Sequence, residues 1–350
     1  MARLKDISQR TGYSITTVSR ALAGYSDVNE QTRQQIVAVA QELGYQPNDI
    51  ARQLRSQRTQ TLGLIIPATD HSVSHDDFFF QLLRGISDSA AAQRYDVLIS
   101  SQMNDTDEMT AYRRIVGGNR VDGLMLARTR QNDERIAYLN SLKFPFAVSG
   151  RSAPGSANDF AFIDVDSRTG IQHAVEHLLA QDHRVIGIIL PPPHIAFTGY
   201  RLKGYQDALE KHGIAFDERL IFHGDLMRSG GYQGVQHLLE HNPDMTAVVC
   251  CNDLMALGAL SALQTCGIRI GQDFAVTGFD DIPAAEYAYP SLTTVHQPIY
   301  EIGWQLVEIL LRLISGEHLS DTERQVIVPT RLVVRESSIR RPTKGGDVKA

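Results

Sequence analysis

Hydrophobic positions follow two different rhythms along this chain. Up to residue 44 they recur at helical spacing in short stretches. Leu4 and Ile7, with Ser8, share one face of a helix that runs through Arg10 and breaks at Gly12. Ser14 suits an N-cap, and Val18 and Leu22 then fall one turn apart on a second helix, Ile15–Leu22. Asn29 is a third capping residue. It precedes a helix over Glu30–Leu43 whose apolar face is Ile36, Val37, Val39, Ala40 and Leu43, with Gly44 as the residue that ends it.

From residue 62 the rhythm becomes strand, helix, strand. Leu62–Pro67 is a short, fully apolar run, as a parallel strand buried on both faces requires. A helix over Phe80–Arg94 follows, then a strand at Tyr95–Ser100, a helix at Glu108–Gly117 and a strand at Val121–Ala127. The helix Asp133–Leu142 and the strand Phe144–Val148 complete a first round. A second round is read as starting at Phe160–Asp166, with further strands at Val185–Leu190, Leu220–His223, Ala247–Cys251 and Phe274–Thr277. Repeated βα units imply parallel sheets clad by helices, and two rounds imply two similar lobes. The fold class is therefore α/β, with a small all-α head before a core of two doubly wound parallel sheets. Ligands of such sheets bind at the carboxyl ends of the strands, so two facing lobes leave a cleft for one.

Charge adds one thing to this picture. The chain of 350 residues carries a formal net charge of −6. Residues 1–60 run the other way, with eight basic side chains (Arg3, Lys5, Arg10, Arg20, Arg33, Arg52, Arg55, Arg58) against five acidic ones (Asp6, Asp27, Glu30, Glu42, Asp49). An acidic body with a basic head suggests a polyanionic partner for the head alone. No apolar run approaches the ~20 residues of a membrane span, and the polar start Met1-Ala2-Arg3-Leu4-Lys5-Asp6 lacks the core of an export signal. Three cysteines, Cys250, Cys251 and Cys266, are odd in number and lie in apolar surroundings, which suits a reducing, cytoplasmic setting.

Two short helices around a glycine-containing turn form the helix-turn-helix signature. A generic three-helix bundle has the same outline, and the second helix separates the two readings. Its outward residues, Ile15, Thr16, Thr17, Ser19 and Arg20, are short or forked groups that reach phosphates, thymine methyls and guanine edges in a major groove. The run Leu4-Lys5-Asp6-Ile7 … Thr17-Val18-Ser19-Arg20-Ala21-Leu22 … Val28 … Thr32-Arg33 … Gly44-Tyr45-Gln46-Pro47-Asn48 closely resembles the lac repressor–galactose repressor family. The resemblance implies that Ile15, Thr16 and Arg20 read bases, and that Ser14, Thr17, Ser19 and Asn48 support DNA binding. It also implies that residues 47–60 form a hinge, ordered when two subunits pair on DNA, with Leu54 as a minor-groove wedge. A plain linker in which Leu54 is incidentally apolar is the alternative. Ile15-Thr16 stands where the best-known member has a Tyr-Gln pair, so the operator sequence does not transfer.

The resemblance extends to about residue 340 through Gly199-Tyr200-Arg201, Cys251-Asn252-Asp253, Val276-Thr277-Gly278-Phe279-Asp280-Asp281, Pro290-Ser291-Leu292-Thr293-Thr294 and Leu332–Ser338. The family's core is similar to periplasmic sugar-binding proteins, and it implies effector contacts at Arg201, Asn252 and Asp280. A guanidinium fork, an amide and a carboxylate match the donors and acceptors of adjacent sugar hydroxyls. Read singly, Arg201 also suits a surface cation, Asn252 a helix N-cap and Asp280 a salt-bridged loop acid. Asp77 and Phe79, in an Asp-Asp-Phe-Phe-Phe run, join the set for polar and stacking contacts, and Arg151 and Leu226 match effector-lining positions more loosely. The segment from Ala111 to Arg130 looks like the α-glucoside-responsive branch of the family.

No HExxH, Walker loop, GxSxG or CxxC motif occurs, so neither catalysis nor a cofactor or metal is expected. The pairs His173/His177 and His237/His241 have metal-ligand spacing but lack a placed carboxylate, and exposed helix faces explain them better. The expected organisation is a helix-turn-helix domain at 1–46, a hinge at 47–60 and an effector-binding and dimerisation core at 61–340. Within that core the chain is expected to cross between lobes near 162, 292 and 325, and 341–350 is a tail without a leucine heptad. The expected function is a homodimeric repressor of carbohydrate genes that binds pseudo-palindromic operator DNA and is released by a sugar. A corepressor mechanism with a purine or sugar phosphate, or a sugar-binding receptor, is the alternative.

Overall fold

The computed structural model describes residues 2–45, 58–66, 77–101 and 105–339. Backbone contacts divide the chain into two compact units, residues 1–59 and 60–350. The first contains α1 (Leu4–Thr11), α2 (Ile15–Leu22) and α3 (Glu30–Glu42). Gly12 ends α1 in the left-handed region, at φ 76°, which turns the chain sharply into α2. Ile7, Val18, Ala21, Ile36 and Ala40 close a small core between the three helices.

The second unit holds two six-stranded sheets. The first lobe uses β1 (Thr61–Ile66), α4 (Asp77–Ala92), β2 (Asp96–Ser101), α5 (Asp105–Gly117), β3 (Gly123–Ala127), α6 (Glu134–Ser141), β4 (Phe146–Ser149) and β5 (Ala161–Val165). The second uses α7 (Ser167–Ala180), β6 (Ile186–Leu190), α8 (Phe197–Lys211), β7 (Ile221–His223), α9 (Arg228–His241), β8 (Ala247–Cys250), α10 (Asp253–Thr265), β9 (Ala275–Asp280), α11 (Pro283–Tyr287) and β10 (Thr293–His296). Then α12 (Ile299–Ile314) returns to the first lobe, α13 (Asp321–Arg324) leads to β11 (Gln325–Val328), and β12 (Arg331–Val333) closes the second sheet. The first sheet runs β11-β5-β4-β3-β1-β2 and the second β12-β10-β9-β8-β6-β7. All pairings are parallel except β10 with β12.

This topology corrects one sequence expectation. The Phe160–Asp166 run does not open the second round, because β5 pairs with β4 in the first sheet. The chain changes lobes after β5, after β10 and between β11 and β12, each a few residues beyond the positions expected. The cause is simple: each strand completes its ladder before the chain leaves the sheet. Three connections therefore lie side by side between the lobes. They suit a hinge.

Glycine fixes how α12 sits on the first lobe. A Cβ on Gly85 of α4 would collide with the carbonyl of Tyr300, and one on Gly303 of α12 with the carbonyl of Leu82. Glycine costs about 1 kcal/mol relative to alanine inside a helix, so its use at both points reflects the close approach of two backbones. Gly303→Ala is expected to destabilise the folded chain by about 1–3 kcal/mol, the range for overpacking, despite the better helix former. Urea unfolding with an unchanged or higher midpoint would contradict this account of the crossing.

Candidate functional site: the reading helix and the interlobe cleft

In the head, α2 is built to present a polar edge. Ser14 caps it, its Oγ accepting from the amide of Thr17 at 3.1 Å, while the two hydroxyls lie 2.9 Å apart. Val18 and Ala21 anchor the inner face. On the other face Ile15 and Thr16 are exposed, Ile15 at 49%. Arg20 is half-buried, ion-paired with Asp27 at 2.5 Å and stacked over the Tyr25 ring at 4.8 Å. Ser14, Ile15, Thr16, Thr17, Ser19 and Arg20 thus share one helix and its cap. Asn48 and Leu54, and most of the hinge segment, lie outside the described residues, as does the 341–350 tail.

In the body, the carboxyl ends of both sheets face one cleft of about 700 Å³, its open mouth included. Phe78, Ala127, Arg128, Ser149, Gly150, Ile163, Asp164 and Ile302 line it from the first lobe, and Phe197, Arg201, Leu226, Asn252 and Asp280 from the second. Ser167 and Gln297 stand at two of the crossings. Arg201 is held from both sides: its guanidinium lies 4.4 Å from the Phe197 ring centre and 4.0 Å from that of Phe279. Its Nη1 donates to the carbonyl of Cys251. Asp280 ends β9 with a positive φ of 124° and accepts from Gln297 Nε2 at 2.5 Å. Asn252 is the N-cap of α10, accepting from the amide of Met255 at 2.9 Å and donating to the Leu226 carbonyl at 2.9 Å. It therefore serves as cap and cleft wall at once.

Three of the expected contacts fall elsewhere. Phe79 is buried in the first-lobe core with Leu82 and Ile86, which share its face of α4, and Phe78, one residue earlier, takes the cleft position. Asp77 opens α4, half-buried and off the wall. Arg151 stands behind the wall, stacked on the Tyr200 ring at 3.9 Å and paired with Asp164 at 3.0 Å. Sequence reading missed Asp164, Ser167, Phe78, Phe197 and Gln297. A carboxylate at the end of an apolar strand, as in Phe162-Ile163-Asp164-Val165, was the signal available for the first of them.

Backbone bonds tie the two rims together. The amide of Gln131 donates to the His194 carbonyl at 2.9 Å, and that of Ala196 to the Thr129 carbonyl at 2.9 Å. Gln131 Nε2 reaches the Pro193 carbonyl at 3.0 Å, and the Tyr200 hydroxyl the Ser152 carbonyl at 3.0 Å. The Thr129–Gln131 segment is itself braced: Arg130 pairs with buried Glu108 at 2.8 Å, which also faces Arg135.

Beneath the cleft lies a buried carboxylate. Asp253 accepts from the amide of Ile282 at 2.9 Å and from the Thr294 hydroxyl at 2.5 Å. Burial is the main cause that pushes its carboxyl up to about 7. The folded chain then keeps a proton that the unfolded chain releases near 3.8. The stabilising contribution of this group is complete below that lower value and is lost as pH rises through about 7. Asp253→Asn is expected to flatten this decline, read as urea midpoints between about pH 5 and about pH 8. A midpoint that falls as steeply in the variant would contradict it.

The other groups offer less chemistry. His177 Nε2 bonds Ser338 Oγ at 2.8 Å, and the rings of His237 and His241 stack at 4.3 Å. Among the described residues no cluster of three or more His, Cys, Asp or Glu is placed to hold a metal ion. Cys250 and Cys251 are buried, and burial raises both thiols. No helix of the described residues is long and apolar enough to cross a membrane.

A helix-turn-helix head followed by a two-lobed body, whose cleft sets charged and amide groups among apolar and aromatic ones, defines a ligand-responsive DNA-binding regulator. Comparison with known proteins agrees. Residues 3–48 match bacterial regulatory proteins of the lacI family, and residues 175–338 match the periplasmic binding protein-like domain. The HTH-type transcriptional regulator AglR of Rhizobium meliloti (strain 1021) is 32% identical over 340 residues, covering 96% of this chain and 94% of that protein. The structure of the lac repressor dimer bound to operator and the anti-inducer ONPF superposes with a TM-score of 0.84 at 27% identity, covering 97% of this chain and 99% of that one. A complex of the transcriptional regulator CelR with cellobiose superposes with a TM-score of 0.75 at 29% identity, covering 96% and 100%. The chain belongs to the lacI family of transcriptional regulators.

Proposed function

We propose that the chain is a homodimeric repressor that leaves its operator when a neutral sugar, of disaccharide size, enters the cleft. The observation that carries this reading is the cleft wall itself. Arg201, Asn252, Asp280 and Asp164 supply a fork, an amide and two carboxylates at strand ends, and Phe78 and Phe197 supply rings for the C–H faces of a pyranose. The similar regulator CelR, solved with cellobiose, supports the ligand class. The similar lac repressor dimer on its operator supports a dimer, and the exposed rings of Tyr287 and Tyr289, at 82% and 83%, give the body an apolar surface for one. Base reading falls to Ile15, Thr16 and Arg20, phosphate contacts to Ser14, Thr17 and Ser19. Asn48 and Leu54 would act from the hinge between the domains at 1–46 and 61–340. The reading is of a cytoplasmic binding protein rather than an enzyme.

The test is a thermal-shift panel of mono- and disaccharides on the full chain, followed by operator binding with and without the best compound. A ligand at 100 times its Kd raises stability by about 2.7 kcal/mol, a readily measured shift. Release of a duplex selected from random sequence supports induction. Tighter binding would replace it with corepression, and no shift with any sugar would overturn the ligand class.

A further inference from the structure

Two consecutive aspartates stand at the end of β9, and the cleft wall uses only the first. Asp280 lines the cleft; Asp281 lies off it, yet its side chain is only 13% exposed. Both residues have a positive φ, 124° and 62°. Residues other than glycine adopt that left-handed course at a cost, and it persists where the surroundings hold it. Two consecutive residues at the end of β10 meet the pair. Gln297 Nε2 donates to Asp280 Oδ1 at 2.5 Å on the cleft wall, and His296 Nδ1 donates to Asp281 Oδ2 at 2.9 Å off it. Arg335 Nη2 donates to the other Asp281 oxygen, Oδ1, at 2.7 Å. Arg335 is itself fixed: its Nη1 donates to the Leu292 carbonyl at 2.9 Å, and its amide to Thr293 Oγ1 at 2.7 Å. From α10, the Asp253 carboxylate accepts from the amides of Asp281 and Ile282. The corner at 280–282 is therefore gripped from three sides, all within the second lobe.

We propose that Asp281, clamped by His296 and Arg335, is the positioning residue that aims Asp280 into the cleft. This rests on the reading of Asp280 as an effector contact. An aspartate carboxylate is only two torsions from its backbone, so the course of the chain at 280–281 sets where it points. Asp281 touches no cleft atom and acts through that course. Its charge matters as well as its shape. An ionised carboxylate accepts from the imidazole and the guanidinium at once, in bonds stronger than those between neutral groups. Asparagine tolerates a positive φ equally well, but it carries no charge and turns an N–H₂ toward one of the two donors. Release of the clamp lets the corner relax toward negative φ and frees Asp280 to wander. A ligand must then order that side chain as it binds, which lowers its affinity.

A double-mutant cycle on the full chain tests this, read by calorimetric titration with the tightest binder among cellobiose, maltose, trehalose and sucrose. Asp281→Asn is expected to weaken that sugar about tenfold, and Asp280→Asn about ten- to hundred-fold. The double variant is expected to bind within about twofold of Asp280→Asn alone, because Asp281 reaches the sugar only through Asp280. Losses that multiply would overturn the positioning role, as would an Asp281→Asn variant that binds like the parent. His296→Gln, which keeps an N–H donor, is expected to retain most of the affinity that His296→Leu loses. Equal losses in the two would remove His296 from the clamp. A second measurement needs no sugar. Hydrogen exchange at the amides of Asp281 and Ile282 is expected to quicken about tenfold or more in Asp281→Asn, with the amides of β8 unchanged. Unchanged exchange at the corner overturns the clamp whatever the titrations show. A parent that binds none of the four sugars overturns the sugar reading, and exchange then decides the clamp by itself. Should Asp281→Asn not fold, Arg335→Lys runs the same cycle, since an ammonium lacks the fork that spans Asp281 and the Leu292 carbonyl.

Discussion

Replacing Arg201 by alanine is expected to give a protein that occupies its operator and no longer responds to sugar. The guanidinium is clamped between the Phe197 and Phe279 rings, at 4.4 and 4.0 Å, and anchored on the Cys251 carbonyl. That fixes the direction of its remaining N–H groups before any ligand arrives, so little rotamer freedom is lost on binding. A hydrogen bond between a charged donor and a sugar hydroxyl contributes about 1.5–3 kcal/mol, or roughly ten- to hundred-fold in affinity. The head and its DNA contacts remain, so operator binding without sugar should survive. Alanine also removes two cation–π contacts, so some loss of melting temperature is expected as well. Arg201→Lys separates the effects, because it keeps a charge near the rings and loses the fork. Asp280→Ala should share the phenotype, releasing Gln297 Nε2 from its 2.5 Å bond at the hinge. The measurement is operator binding across a sugar titration. A variant released at the parent's sugar concentration would remove Arg201 from the site, and one that unfolds would show it to be structural.

Much of this molecule is legible in its sequence, for reasons that can be named. Capping residues and apolar spacing locate the three head helices to within a residue or so: Ser14 and Asn29 cap as read, and Gly44 follows α3 with φ 61°. Buried parallel strands leave short apolar runs, so β1, β3 to β6, β8 and β9 are visible within a few residues, and the partly exposed edge strands β2 and β7 are found from the same alternation with helices. What periodicity does not carry is which sheet a strand joins. β5 looks like the first strand of a new round because nothing local separates Ala161–Val165 from Ile186–Leu190; only the pairing with β4 and β11 assigns it. Strands β11 and β12 are short edge pieces whose apolar runs, Val326-Ile327-Val328 and Leu332-Val333, are too brief to tell a strand from a connection. The site divides in the same way. Arg201, Asn252 and Asp280 follow from a long ordered resemblance. The choice of Phe79 over Phe78 fails because one residue on a helix turns the side chain by about 100°, and a run of three Phe hides the register. Asp164 was passed over because its partner, Arg151, lies thirteen residues away across a loop and declares nothing in sequence.

Arg20→Ala is expected to lower operator affinity by about 1–3 kcal/mol and to relax specificity at one base position, the cost of losing a bidentate contact to guanine. The geometry argues for a reader rather than an anchor. Arg20 lies in the last turn of α2, on the helix that presents Ile15 and Thr16, and Asp27 grips it through both Nη2 and Nε, at 2.5 and 3.3 Å. With side-chain exposures of 44% and 54%, this pair contributes little to stability. What it does is hold a planar fork in one orientation beside the Tyr25 ring, 4.8 Å from its centre. Asp27 also places a negative charge next to the arginine, which disfavours a simple phosphate contact. Arg20→Lys should therefore fail to restore the parent's affinity, because an ammonium is a point charge without the fork. Asp27→Ala should weaken operator binding less than Arg20→Ala and raise binding to unrelated duplexes, as the acidic group paired with Arg20 is removed. Affinities for a selected operator, its single-base variants and an unrelated duplex, all at one salt concentration and then across a salt series, decide the matter. If Arg20→Ala weakened every duplex alike and reduced the salt slope by about one, Arg20 would be a phosphate contact and base reading would fall to Ile15 and Thr16 alone.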